Sequence, residues 1–358
     1  MGPEICDELI DFITHLYTEE EAEVIQYITP LSLRNAKEIS RLSKKPLDEV
    51  RKILQKVEKE KCSLLTFEVV GVKYYAILPI VPGTAEMVLY KTDPNAYTSW
   101  HKEFARRFEK LYNTGYIIHY FEHKPSNLYR FVPSYPLIKD NPFALPSDKL
   151  PEIFDRHSYI AVSPCLCRLS AKFNGHWCGR PIETCISFGK RAQQAVAQNR
   201  ARKIELSEAL EIKLRAEEAG LSNWIENHQT QGMEGNTSCS CCGDCCVVLL
   251  TITKFNKPGL IAPPHFMPKI DLEKCIHCGK CMQVCNTKAH QVSEEEHLFD
   301  ALRCVGCGLC VRVCPVGALK LEPVPSYKAP PKNRLEYLAP LIYNMQKEKR
   351  RRKKEKII

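Results

Sequence analysis

The chain has 358 residues, 44% hydrophobic and 26% charged, a balance that excludes a collagen-like or largely disordered protein and leaves room for two or three domains. Its formal charge is +9, yet Lys347 to Lys356 alone hold eight basic residues against two acidic ones, so the body of the chain is close to neutral and does not read as a nucleic-acid binder. Nineteen cysteines in tight groups point to metal chemistry rather than to a secreted disulfide scaffold, and a cytoplasmic location is expected, because the N-terminus shows no basic start followed by an apolar stretch.

In chain order, residues 1–90 read as helices followed by a hairpin. EEEAEVIQYI and AKEISRL carry apolar residues at helical spacing, and LDEVRKILQKVEKE places Val50, Ile53, Leu54 and Val57 on one face. LLTFEVV and KYYAILPI then flank Gly71 as two strands. This order suggests a winged-helix-like domain. Its candidate recognition helix, Leu47 to Lys61, has five basic and four acidic residues, so DNA is not the expected partner. Residues 91–160 form a connecting region with one helix, SWHKEFARRFEKLYN, and no visible chemistry. Residues 161–265 are expected to form a Cys-rich, mainly helical middle domain, with its clearest helix capped by Ser207 and ended by Gly220.

Residues 266–325 are the most legible part. CIHCGKCMQVC sets Cys275, Cys278, Cys281 and Cys285 at intervals of 3, 3 and 4, and CVGCGLCVRVCP repeats the pattern at Cys304, Cys307, Cys310 and Cys314. Three thiolates on one loop reach three corners of a cube of iron and sulfide, while the fourth points away and completes the cube of the other repeat. One [4Fe-4S] cluster is therefore expected on Cys275, Cys278, Cys281 and Cys314, and another on Cys304, Cys307, Cys310 and Cys285. This segment resembles two-cluster bacterial-type ferredoxins, with one departure: Asn286 stands where the family usually has the proline that Pro315 supplies in the second repeat.

Nine further cysteines lie upstream. CLCRLSAKFNGHWCGRPIETC holds Cys165, Cys167, Cys178 and Cys185, and CSCCGDCC holds Cys239, Cys241, Cys242, Cys245 and Cys246. They are expected to bind one or two additional iron-sulfur clusters, with zinc as the alternative. Cys6 and Cys62 are left as packing residues. The combination resembles an anaerobic family of ferredoxin-domain proteins with a winged-helix-like start, a C-x-C-R segment (Cys165 to Arg168), a C-x-x-P-x-E-x-C-x-x-F-G stretch (Cys178 to Gly189) and a dense cysteine knot. The resemblance implies electron transfer and no named reaction. Arg168 is a candidate for neutralising cluster charge.

Residues 326–358 read as an amphipathic and polybasic tail, with Leu335, Leu338, Ile342 and Met345 on one side of a helix bent by Pro340. The whole is an α+β multidomain protein, expected to relay single electrons to a partner oxidoreductase. The alternatives are a redox-sensing winged-helix regulator and an oxidoreductase with its own site at the middle cysteines. The tail offers contact with an acidic protein or membrane surface. No window approaches the length of a membrane-spanning helix.

Overall fold

A computed structural model describes residues 5–28, 33–77, 79–229 and 236–354, and it is mixed helix and sheet. The chain forms two compact units, one comprising Met1–His119 with Lys172–Gly175, the other Tyr120–Ala171 with His176–Ile358. The stretch 91–160 read as a connector is thus shared between them.

The first unit begins with α1 (Asp7–Leu16), α2 (Glu19–Ile25), β1 (Arg34–Asn35), α3 (Ala36–Ser43) and α4 (Leu47–Lys56). A hairpin of β2 (Leu64–Val69) and β3 (Val72–Ile77) follows, then α5 (Ala85–Leu89) and α6 (Ser99–Asn113). Reciprocal capping boxes start two of these helices, Thr18 with Glu21 in α2 and Asn35 with Glu38 in α3. The apolar face read from the sequence is buried as expected: Val50, Ile53, Leu54 and Val57 join Val24, Ile25, Ile28, Ile39, Leu64 and Tyr75 in one core. The three strands order as β1-β3-β2. Cations of the candidate recognition segment are engaged within the unit: Arg51 with Asp48 at 3.2 Å, Lys56 with Glu21 at 3.0 Å, and Lys61 over the Trp100 ring at 4.8 Å. Cys62 is buried, whereas Cys6 is only half-buried beside α1.

The second unit is framed by six antiparallel strands in the order β4-β8-β9-β6-β5-β7. They are β4 (Tyr129–Phe131), β5 (Ile160–Pro164), β6 (Glu183–Phe188), β7 (Arg202–Ile204), β8 (Ser222–Glu226) and β9 (Thr237–Cys241). The helices interleaved with them are α7 (Tyr135–Ile138), α8 (Leu150–Asp155), α9 (Leu166–Phe173), α10 (Gly189–Ala197), α11 (Leu206–Glu218) and α12 (Val247–Thr253). Successive side chains of β5 go to opposite faces. Ile160 and Val162 join the core made with α8 and α11, while Ala161 packs with Ala192, Ala195 and Ala201 around α10. The middle stretch, expected to be mainly helical, also holds five strands of this sheet, which its helices cover. Its strands are short, and several are buried on both faces, so they lack the alternation that marks a half-exposed strand. The expected Ser207 cap is also displaced, since Glu205 is the extended residue at which β7 turns into α11.

The remaining elements are β10 (Phe266–Ile270), α13 (Lys280–Val284), β11 (His290–Val292), β12 (His297–Phe299), α14 (Leu309–Arg312), β13 (Leu319–Pro323) and α15 (Arg334–Lys354). Strands β10 and β13 pair across the two cysteine repeats, and β11 pairs with β12 between them. The repeat is visible in the backbone: His277, Gly279 and Lys288 have φ of 51°, 69° and 56°, and the residues 29 positions on, Gly306, Gly308 and Gly317, have 70°, 78° and 62°. A Cβ at Gly306 would lie 2.3 Å from the Phe266 carbonyl oxygen, which accounts for glycine there.

The tail helix packs back on its own unit, and of the expected stripe Leu338, Ile342 and Met345 are half-buried. Tyr337, Asn344 and Glu348 are buried, and Leu335 is 79% exposed. Tyr337 meets the His228 ring at 4.9 Å, and Asn344 donates to the Lys124 carbonyl at 2.8 Å. The end of the basic run, Glu355 and Lys356, lies outside the described residues. Among the described residues no helix is long and apolar enough to cross a membrane.

Candidate metal centres

Each cysteine repeat closes on a cavity that it shares with the other. Cavity one is lined by Cys275, Cys278 and Cys281 of the first repeat and by Cys314 of the second, with His277, Gly279 and His297. Cavity two is lined by Cys304, Cys307 and Cys310 of the second repeat and Cys285 of the first, with Ser222, Asn286 and His290. The two exchanged cysteines are held alike: Cys285 Sγ accepts from Ala289 N–H and Cys314 Sγ from Ala318 N–H, both at 3.2 Å. Four sulfurs around an open volume, with backbone amides turned toward sulfur, fit a four-iron cluster in chemistry and in space. Burial pushes the Cys307 thiol up to about 11 and Cys304 to about 12, so the charge that ionises them has to come from bound metal.

His297 stands beside cavity one, its Nδ1 3.5 Å from Cys275 Sγ and its Nε2 2.9 Å from His290 Nδ1. With His297 Nδ1–H donating to the Cys275 sulfur, His290 Nδ1–H donates to His297 Nε2, which also lies 3.7 Å from Cys281 Sγ. Cavity one is also the solvent-facing one, with Cys278 exposed and Ile276 60% exposed at its rim.

Asn286, in the lining of cavity two, spends its side chain on the neighbouring segments. Its amide donates to the Gly220 carbonyl and to Ser222 Oγ, both at 2.9 Å, and its Oδ1 accepts from Gly243 N–H at 3.0 Å. The side chain that replaces the family's proline thus ties cavity two to the Cys242-Gly243 segment. A proline would break all three bonds.

The nine middle cysteines are brought together, but as separate groups. Cys178, Cys242 and Cys245 form a triad whose sulfurs all lie within 4.8 Å of one another. Cys165, Cys167, Cys246 and Cys241 form a chain of hydrogen-bonded thiols in that order. Cys185 and Cys239 form a pair with sulfurs 2.9 Å apart. The hydrogen bond from Cys245 lowers the pKa of the Cys242 thiol, against the burial that raises it.

Two buried cations attend these thiols. Arg168 is 1% exposed and donates to the Ser240 carbonyl at 2.8 Å and to Thr184 Oγ1. Burial opposes its charge, but Cys165, Cys241, Cys242 and Cys167 together raise its pKa. Its Nε is buried without a hydrogen-bond partner, an orphan donor that fits an anionic group among the thiols. Lys213 was missed in the sequence. Its ammonium donates to the carbonyls of Thr184 (3.2 Å) and Ser238 (3.0 Å) and to Ser240 Oγ (3.2 Å), and burial brings it down to about 8. A lysine on the stripe Ala209, Ile212 and Ala216 of α11 was the available signal. From Ser240 a buried network continues through Asn223 and Glu217 to Arg312 and Ser134, whose N–H donates to the Cys307 carbonyl at 2.9 Å.

The model of the 4Fe-4S dicluster domain family matches residues 268–321, the segment that forms both cavities. Neither a curated protein nor a solved structure matched the chain. The segment is therefore an iron-sulfur domain of ferredoxin type.

Proposed function

We propose that the protein relays single electrons through two [4Fe-4S] clusters, one in each cavity, to a partner oxidoreductase. The observation that carries this reading is the exchange of Cys285 and Cys314 between repeats, which gives each cavity four sulfurs. A thiolate-bound four-iron cluster, when present, exchanges one electron with little rearrangement of its ligands. The chain's own part is to fix those ligands on short helices, to shield cavity two behind the sheet, and to leave cavity one at the surface. The partner docks at that surface, around Cys278 and Ile276, because electron exchange needs close approach.

The middle thiols extend the reading to a further metal centre. Around one tetrahedral zinc with bonds of about 2.3 Å, sulfurs stand roughly 3.8 Å apart. The ligands of a four-iron cube each sit on their own iron and spread wider. The spacing of Cys178, Cys242 and Cys245, with Cys178 and Cys242 sulfurs at 3.7 Å, therefore favours a single ion at the triad. Metal and acid-labile sulfide analysis of the anaerobically purified protein tests both parts. About eight irons with matching sulfide are expected from the cavities, plus zinc from the triad. Fewer than about four irons would end the relay reading, and about twelve or more would make the middle centre an iron-sulfur cluster.

His297 gives a second expectation. Its N–H to Cys275 stabilises the more negative, reduced state, so His297→Leu should lower the reduction potential of the cluster in cavity one by roughly 60 mV or less, 59 mV being a tenfold change for one electron. The companion in cavity two should be unmoved. An EPR-monitored redox titration reads both, and an unchanged potential would remove His297 from the tuning of that site.

A further inference from the structure

We infer that Cys185 and Cys239 are a redox-active dithiol, a reversible two-electron couple separate from the thiols that hold metal. Strands β6 and β9 pair with Ile186 opposite Ser238 and Ser187 opposite Thr237, and one further step along this register sets Cys185 opposite Cys239. Directly opposed residues of antiparallel strands hold their Cα atoms about 4.5–5.5 Å apart, within the roughly 4.4–6.8 Å that a disulfide spans. The sulfurs already lie 2.9 Å apart. Both strands are interior to the sheet, β6 between β5 and β9, β9 between β6 and β8, so the sulfurs cannot spread onto separate irons without breaking strand pairing.

The surroundings also favour a dithiol over a ligand pair. Lys213 is bonded to the residues just before each cysteine, Thr184 and Ser238. A fixed cation beside the two sulfurs opposes placing a second cation between them. The pair is also asymmetric: Cys185 is 3% exposed, whereas Cys239 is partly open.

The exchange balances as follows. The Cys239 thiolate attacks one sulfur of a small disulfide and releases one thiol. The Cys185 thiolate then attacks Cys239 Sγ, forming the internal disulfide and releasing the second thiol. Two electrons and two protons leave the pair and appear on the two released thiols. In the reverse direction, two electrons from a low-potential one-electron reductant, with two protons, break the internal bond.

The test uses the full chain, purified without oxygen and treated either with glutathione disulfide or with dithionite. After alkylation and peptide mapping, the first sample should contain a Cys185–Cys239 linked peptide and the second both residues alkylated. Reductive titration of the oxidised wild type should consume two electrons more per chain than Cys185→Ser or Cys239→Ser, with the metal and sulfide content of both variants unchanged. Absence of the linked peptide from the wild type would overturn the inference, whatever the variants do, as would loss of metal from a folded variant. Iron missing from the two cavities of the wild type would instead overturn the relay and leave the linked peptide as the measure of the pair.

Discussion

Replacing Cys314 by serine is expected to remove about four of about eight irons, and the cluster lost or degraded should be the one whose other three ligands lie in the opposite repeat. Cys314 lines cavity one with Cys275, Cys278 and Cys281, although it is 33 residues or more from each of them and lies just past α14, which carries Cys310. A serine hydroxyl is a harder and less acidic ligand than a thiol, so one iron of the cube would be weakly held or lost. Cys285→Ser should produce the mirror result in cavity two. EPR separates the two, since the spectrum left in one variant should be the one missing from the other. If Cys314→Ser damaged the cluster of Cys304, Cys307 and Cys310 instead, each repeat would bind its own four ligands and the shared-cavity reading would fail.

The C-terminal segment was legible because ligand spacing is a local property. Three cysteines at intervals of three can serve one loop and hardly anything else, and the 29-residue offset shows the repeat without coordinates. The middle cysteines carry no such code. Their grouping depends on which strands lie side by side: Cys185 meets Cys239 only because β6 pairs with β9, and Cys165 and Cys167 reach Cys241 and Cys246 only through the folding of α9 against that sheet. The strands themselves were hidden. β9 reads Thr-Ser-Cys-Ser-Cys, without the β-branched apolar residues that announce a strand, and it is held by buried polar contacts such as Ser238 Oγ to the Trp224 carbonyl at 2.9 Å. In the tail, Leu338, Ile342 and Met345 of the expected stripe are half-buried and Leu335 is exposed, while the buried positions include the polar Asn344 and Glu348, which a hydrophobic pattern does not mark. Asn286 was legible as a departure, but its partners Gly220, Ser222 and Gly243 are more than 40 residues away and belong to the fold.

That junction carries the second large effect. Gly243 sits between the Cys242 and Cys245 sulfurs of the triad and the backbone beside cavity two, and a Cβ there would lie 2.3 Å from the Asn286 carbonyl oxygen and 3.1 Å from its carbon. Backbone cannot rotate out of the way as a side chain can, so Gly243→Ala must push the Cys242 segment off Asn286. The overpacking costs about 1–3 kcal/mol, and the displaced segment also loses the Gly243 N–H bond to Asn286 Oδ1. Asn286→Ala leaves the clash-free backbone in place but strands the Gly243 N–H and takes the donor from the Gly220 carbonyl and Ser222 Oγ, for about 1–3 kcal/mol. Each change should lower the melting temperature of the anaerobic holoprotein by several degrees, about 2–4 °C per kcal/mol for a unit of this size. The double variant should fall by clearly less than the sum, because both changes break the same contact. Metal loss gives the direction: Gly243→Ala moves Cys242 and should deplete the triad's metal, while Cys304, Cys307 and Cys310, carried on a different loop, keep theirs. Additive melting shifts with the triad's metal intact would mean that Asn286 and Gly243 act separately, and that the link between cavity two and the middle thiols has no energetic weight.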